Sequence, residues 1–243
     1  MSFTGKVAFI TGAGSGIGRA TAQLLASQGA KVAAADLRAD TAGETAAAIV
    51  TAGGKAIGVG VNVSSKAEVS AAIERTVQEF GALDILINCA GIYPRALVVD
   101  IEESQWDQVI GTHLKGTFLC CQAAVKQMIR QKSGRIVNIV SGIALNGARR
   151  GSAYSAAKGG IMSFTKSLAL EVREHNIMVN ALSPGPTRTP MSSWGSAKPG
   201  DPSYAEMISQ HPQGLKEPEQ AAQYIATLAG PLFDNTTGRI MHF

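Results

Sequence analysis

Short, almost wholly apolar runs recur along this chain, and between them apolar positions fall three and four residues apart. Lys6–Thr11 (KVAFIT), Lys31–Asp36 (KVAAAD), Ala56–Val61, Leu83–Asn88 (LDILIN), Arg135–Val140 (RIVNIV) and Ile177–Leu182 (IMVNAL) read as strands covered on both faces. Ile17, Ala20, Leu24 and Leu25 share one helical face, which Gly29 closes. The alanine-rich stretch Arg38–Ala52 is helical in pattern. Ser65 with Glu68 makes a capping box for a helix whose buried face is Val69, Ala72, Ile73, Val77 and Phe80. Helices are also predicted over 103–131, with a break, over 154–175, and from Pro218, and Gly238–His242 reads as a last strand. Strands separated by helices must pair in parallel through right-handed crossovers. The expected fold is therefore a single-domain, doubly wound α/β Rossmann sheet of about seven strands covering 1–243. The rhythm fails at 186–214, where prolines stand at 186, 190, 199, 202 and 212, and a loop of that length predicts a substrate lid.

Composition narrows the classes. A chain of 243 residues, 45% hydrophobic and 16% charged, suits a compact globule and excludes a disordered tract. No apolar run approaches the roughly 18–20 residues of a membrane span. The start, Met1 to Lys6, shows no leader pattern before the first strand. Cys89, Cys120 and Cys121 have neither metal-ligand nor disulfide spacing, so the expectation is a cytoplasmic protein with no metal. The net charge of +4 comes from scattered basic residues without interleaved aromatics. That pattern argues against nucleic acid and for a mild preference for anionic small-molecule ligands.

The candidate chemistry begins at Thr11-Gly12-Ala13-Gly14-Ser15-Gly16-Ile17-Gly18, between the first strand and the first helix. Glycines there let the backbone approach a pyrophosphate at a helix N-terminus. Asp36 closes the second strand, near the interval expected of an acid that binds the adenosine ribose hydroxyls. Its charge repels a 2′-phosphate, so NAD is favoured over NADP, although Arg38 stands close enough to offset part of that repulsion.

With these features, the sequence resembles the classical short-chain dehydrogenases/reductases over nearly its whole length. The turn at 11–18 is similar to the family's T-G-x-x-x-G-x-G motif. Asn88-Cys89-Ala90-Gly91 resembles its N-N-A-G segment, and Pro184-Gly185 followed by Thr189 its nicotinamide-side segment. Ser141 precedes Tyr154 by the family interval, and Tyr154-Ser155-Ala156-Ala157-Lys158 is the Y-x-x-x-K signature. The resemblance implies that Ser141, Tyr154 and Lys158 are catalytic. Tyr154 exchanges a proton with an alcohol or ketone oxygen, its phenol lowered by Lys158 and the nicotinamide charge. Ser141 holds that oxygen, and Lys158 also holds the nicotinamide ribose. It further implies that Gly12, Ser15, Gly16, Ile17, Gly18, Asp36, Asn62, Val63, Asn88, Ala90, Gly91, Pro184, Gly185, Thr187 and Thr189 line the cofactor. In this picture Asn62 accepts from the adenine amine.

Departures from the pattern matter as much. His113 stands where many family members carry a catalytic asparagine; one reading has a histidine there add a near-neutral ionisation, and the other, equally open, has it packed in a purely structural role. The chain reads Thr237-Gly238-Arg239-Ile240-Met241-His242-Phe243 where the family often has V-D-G-G. Association as a homodimer through 103–131 and 154–175, or as a homotetramer, is implied by resemblance. Met191, Trp194, Tyr204 and Met207 of the lid, with Ile92, Tyr93, Pro94, Ile143 and Leu145, suit an apolar or aromatic substrate. Arg149 and Arg150 are candidates for a carboxylate. Two alternatives stay open. One is a 3-oxoacyl-[acyl-carrier-protein] reductase using NADPH, with Lys126, Arg130 and Lys132 facing the carrier. The other is a non-catalytic dinucleotide sensor.

Overall fold

The structure is a computed structural model and describes residues 2–192, 209 and 214–243. Its strands are β1 (Val7–Thr11), β2 (Lys31–Asp36), β3 (Lys55–Gly60), β4 (Ile85–Asn88), β5 (Gly134–Ile139), β6 (Ile177–Ser183) and β7 (Ile240–His242). Among the described residues the α-helices are α1 (Gly16–Ser27), α2 (Ala39–Thr51), α3 (Lys66–Phe80), α4 (Glu103–Ile110), α5 (Gly116–Gln131), α6 (Ile143–Asn146), α7 (Ser152–Val172) and α8 (Pro218–Ala229). All seven strands form one parallel sheet in the order β3-β2-β1-β4-β5-β6-β7.

The apolar runs are continuous because both sheet faces are covered. Along β1, Phe9 joins a cluster with Leu86, Ile136 and Val179 under α3, α5 and α7. Its neighbours Ala8 and Ile10 point the other way, into a cluster with Ile87, Val137, Leu25 of α1 and Ile225 of α8. Burying each such large side chain stabilises the fold by about 1.5–3 kcal/mol. The sheet order reverses between β1 and β4, and a cleft opens at the carboxyl ends of the strands where it does so.

Element boundaries differ from the sequence expectation for local reasons. β4 begins at Ile85 because Leu83 is held by α5: its amide donates to Gln131 Oε1 at 3.0 Å, and Gln131 Nε2 donates back to its carbonyl at 2.9 Å. At α3, Ser65 Oγ accepts from Glu68 N at 3.4 Å. Glu68 does not return the bond to Ser65; its Oε2 accepts from Asn62 N at 2.8 Å, tying the helix to the turn after β3. The break expected within 103–131 is a π-helical stretch, Gly111–Lys115, between α4 and α5. The short helix α6 and a 3-10 turn at Val98–Asp100 had no periodicity to announce them.

Of the expected lid, Trp194, Tyr204 and Met207 lie outside the described residues. Near its ends, Thr187 pairs with Lys216 in a single bridge. Among the described residues, no helix is long and apolar enough to cross a membrane.

Candidate active site

The cleft is built from the turns that follow β1, β2, β3, β4, β5 and β6. Gly12 and Gly16 have φ of +66° and +50°, the left-handed region that glycine adopts without strain. Side chains would not fit here in any case. A Cβ on Gly12 would lie 2.9 Å from Ala90 Cα, and one on Gly18 would lie 2.1 Å from the Gly12 carbonyl oxygen. A Cβ on Gly16 would stand 3.1 Å from the Thr189 methyl, so the segment after β6 closes over the glycine turn. Ser15 caps α1 without a side-chain hydrogen bond, and Ile17 is half-buried. A closely packed glycine cradle at the N-terminus of a 12-residue helix fits a pyrophosphate.

One residue that sequence reasoning passed over holds this wall together. Thr11 Oγ1 accepts from Cys89 N at 3.0 Å and from Ala90 N at 3.1 Å, fastening the end of β1 to the turn after β4. The signal was a hydroxyl ending an otherwise apolar strand directly before the glycines.

Asp36 sits where its spacing placed it. Its Oδ2 accepts from Gly14 N at 2.9 Å, and its Oδ1 accepts from Arg38 N at 3.1 Å. The carboxylate is thus fixed against the glycine turn and keeps lone pairs for ribose hydroxyls. Asn62 is more committed than expected: its Oδ1 already accepts from Ser64 N at 3.0 Å and Ser64 Oγ at 2.7 Å. Val63 packs inward against Gly116. Asn88 also turns inward, its Nδ2 donating to Asn138 Oδ1 at 2.8 Å. Asn138 in turn donates to Thr165 Oγ1 at 2.9 Å. Asn88 and Ala90 therefore meet the cleft through backbone. On the far side, Gly185 has φ +70°, Lys216 Nζ donates to the Pro184 carbonyl at 3.3 Å, and Thr187 Oγ1 donates to the Gly185 carbonyl at 3.2 Å.

Tyr154 and Lys158 lie one turn apart on α7, and Ser141 follows β5. Lys158 is buried, and its Nζ donates to the Ile139 carbonyl at 2.6 Å, 5.5 Å from the centre of the Tyr154 ring. Burial lowers the Lys158 ammonium from its ordinary value to about 8. Burial pushes Tyr154 up to about 12, Ser141 pulls in the opposite direction, and Tyr93 and Cys89 add to the rise. Desolvation of the phenolate outweighs the hydrogen bond from Ser141. Tyr93 is a second residue whose placement the sequence did not reveal. Its ring lies 4.4 Å from that of Tyr154 with a tilt of 36°, and the Arg95 guanidinium stands 4.9 Å over it.

His113 occupies the π-helical stretch and is buried. Its Nε2 lies 2.7 Å from the Ile92 carbonyl oxygen and 3.0 Å from the Ile92 amide nitrogen. Its ring meets that of Tyr154 edge-on, at 5.1 Å and 88°. Burial first, and the nearby Lys158 ammonium second, lower the imidazole to about 3. The near-neutral ionisation expected from the sequence is therefore corrected: this imidazole stays neutral throughout the physiological range.

The arrangement brings a proton-bearing phenol, a hydroxyl and an ammonium to the mouth of a cradle shaped for a dinucleotide. The comparisons with known proteins agree with this geometry. A family described as short chain dehydrogenase matches residues 6–199. The short-chain reductase protein NovJ of Streptomyces niveus is 39% identical over 98% of this chain and 92% of its own length. The 3-oxoacyl-[acyl-carrier-protein] reductase FabG of Thermotoga maritima is 37% identical over 99% of this chain and 97% of its own. The crystal structure of a short-chain type dehydrogenase/reductase from Mycobacterium marinum superposes with a TM-score of 0.91 at 28% identity, over 100% of this chain and 95% of that one. Fold, cradle and sequence thus agree that this chain belongs to the short-chain dehydrogenases, oxidoreductases that work with a nicotinamide dinucleotide.

Proposed function

We propose that the protein interconverts a secondary alcohol and a ketone with NAD(H), Tyr154 carrying the proton. The observation that supports this most strongly is the half-buried Tyr154 phenol flanked by Ser141 and Lys158. With its phenol near 12, Tyr154 holds its proton at neutral pH and can donate it to a carbonyl oxygen. Ser141 hydrogen-bonds the same oxygen and sets its distance from the phenol. In the reverse direction the reactive form is the Tyr154 phenolate, which the Lys158 ammonium stabilises and which takes the alcohol proton. When bound, the nicotinamide supplies the carbon that gives or accepts hydride. The glycine turn, Asp36, Asn88–Gly91 and Pro184–Thr189 would hold the dinucleotide. The preference for NAD rests on Asp36 and on the uncharged Ser15 in the turn. Ile92, Tyr93, Ile143 and Leu145 favour an apolar or aromatic substrate body, and a homodimer or homotetramer belongs to the same reading.

Replacing Tyr154 with Phe tests this. With NADH and a panel of ketones, turnover should fall by about 10²–10⁴-fold while NADH binding, read by fluorescence titration, is retained. Turnover at the wild-type rate in Tyr154→Phe would remove the tyrosine from the chemistry.

A second reading has one specific observation in its favour. FabG of Thermotoga maritima, a 3-oxoacyl-[acyl-carrier-protein] reductase, is similar over almost the whole chain. Lys126 and Arg130 are exposed on α5, with Lys132 at its end, where an acidic carrier could dock. A strong preference for NADPH together with turnover of an acyl-carrier thioester would favour this reading over the first.

A further inference from the structure

His113 raises a question that the acid–base set leaves unanswered. One nitrogen cannot both donate and accept, so of its two contacts with Ile92 only one is a hydrogen bond in a given tautomer. The shorter contact, 2.7 Å to the carbonyl, selects Nε2–H as donor. Nδ1 is then a bare acceptor, and it is buried with no partner among the described residues. The ring has no freedom to find one. A Cβ on Gly91 would come within 2.3 Å of His113 Cε1, so Gly91 presses directly on the imidazole edge. The Tyr154 ring blocks another side. A buried acceptor without a partner costs about 1–3 kcal/mol, so a donor from outside the chain is called for.

We propose that His113 is a positioning residue: through Nε2–H it holds the Ile92 carbonyl, fixing the turn after β4 and the edge on which Tyr154 rests, and through Nδ1 it accepts a hydrogen bond from a hydroxyl donor, a buried water or a cofactor hydroxyl. This rests on the reading of Tyr154 as proton carrier. The groups that face the imidazole support a fixed neutral state. Lys158 and Tyr154 come from α7, and Gly91 and Ile92 from the turn after β4; Cys89 and Tyr93 of that turn act on Tyr154. Glu103 and Asp107 of α4, Lys115 of the π-helical stretch itself, and Lys126 and Arg130 of α5 reach solvent instead. Among the described residues, no carboxylate is resolved as acting on this imidazole.

The test is nitrogen NMR on the full chain labelled with ¹⁵N-histidine, with His113→Asn identifying one signal pair among the four histidines. The expected result is an Nε2–H tautomer whose shifts stay flat between about pH 5 and 8, whatever the other three histidines do. Titration of His113 in that window overturns the proposal. A hydrogen-bonded Nδ1 shift in the free protein identifies water as the donor. A shift that appears only with NADH identifies a cofactor hydroxyl, and a bare Nδ1 in both states overturns that half. In kinetics, His113→Ala should lose about 10- to 100-fold in kcat. His113→Asn, whose amide can still donate to Ile92, should recover most of that loss with an unchanged pH profile. An acid or base limb that vanishes in His113→Asn would instead make His113 a proton carrier. The NMR readout needs no turnover, so failure of the proposed reaction and failure of this inference remain distinguishable.

Discussion

Asp36 has two carboxylate oxygens, and each already receives a backbone N–H, from Gly14 and from Arg38. Those bonds fix where its charge sits. A 2′-phosphate brought within about 4 Å of that charge meets a repulsion between about 1 kcal/mol in water and about 4 kcal/mol at a protein surface, per unit charge. Asp36→Asn keeps an acceptor for the glycine turn and deletes the charge. The ratio of kcat/KM for NADPH over NADH should rise about 5- to 150-fold in that variant, measured with one ketone substrate. An unchanged ratio would mean that discrimination lies elsewhere, with Arg38 the next residue to change.

At the level of elements, the π-helical stretch between α4 and α5 makes the site's geometry unusual. Such stretches are rare and frequent at functional sites, and this one carries the buried His113. Its fit against Gly91 is tight enough to test by substitution. Gly91→Ala should destabilise the protein by about 1–3 kcal/mol in urea unfolding, because the new methyl has no room beside the imidazole. In a His113→Ala background the same change should cost far less, and the double-mutant cycle reads the coupling. The comparison also shows what the sequence could and could not disclose. Strands such as β1 and β6 were legible because parallel strands covered on both faces are apolar throughout. Tyr154, Lys158 and Asp36 were legible because their chemistry depends on spacing along one element or at its end. The placement of Tyr93 against Tyr154, the double duty of Thr11 and the inward turn of Asn88 depend on contacts between distant segments, which periodicity does not encode. The balance that sets the Tyr154 phenol, burial against the Ser141 hydrogen bond, likewise depends on contacts between distant segments.

For the whole molecule, the buried titratable groups shape stability against pH. The folded imidazole of His113 is at about 3 and an ordinary one at 6.5, so between those values the unfolded chain binds a proton that the folded chain refuses. Stability therefore falls as pH drops below 6.5, by about 1.4 kcal/mol per unit from this group. Lys158, at about 8 against 10.5, is also protonated more readily when unfolded, so stability rises from 8 toward 9. Above 9 the buried thiols of Cys89, Cys120 and Cys121 oppose that rise, because the unfolded thiols ionise there while burial holds the folded ones protonated. Above 10, Tyr154 adds to the fall, since the unfolded phenol ionises first and the folded one only at about 12. Urea unfolding from pH 4 to 10 checks these limbs: His113→Asn should flatten the acid one and Lys158→Met the alkaline rise.

The closure of the glycine turn by Thr189 has a consequence for the order in which the protein comes off the ribosome. Strands β1 to β4, with the turn, Asp36 and Asn88–Gly91, are contained in the first 91 residues. Ser141 and Tyr154 follow some fifty or more residues later, and Thr189, which covers Gly16, later still. The wall that receives the adenosine half of a dinucleotide is thus synthesised first, the acid–base pair second and the closing segment third. Behind the closing segment come α8, which packs against α1, and β7, which completes the sheet, so the cradle gains its cover and its support only after the acid–base pair has been made.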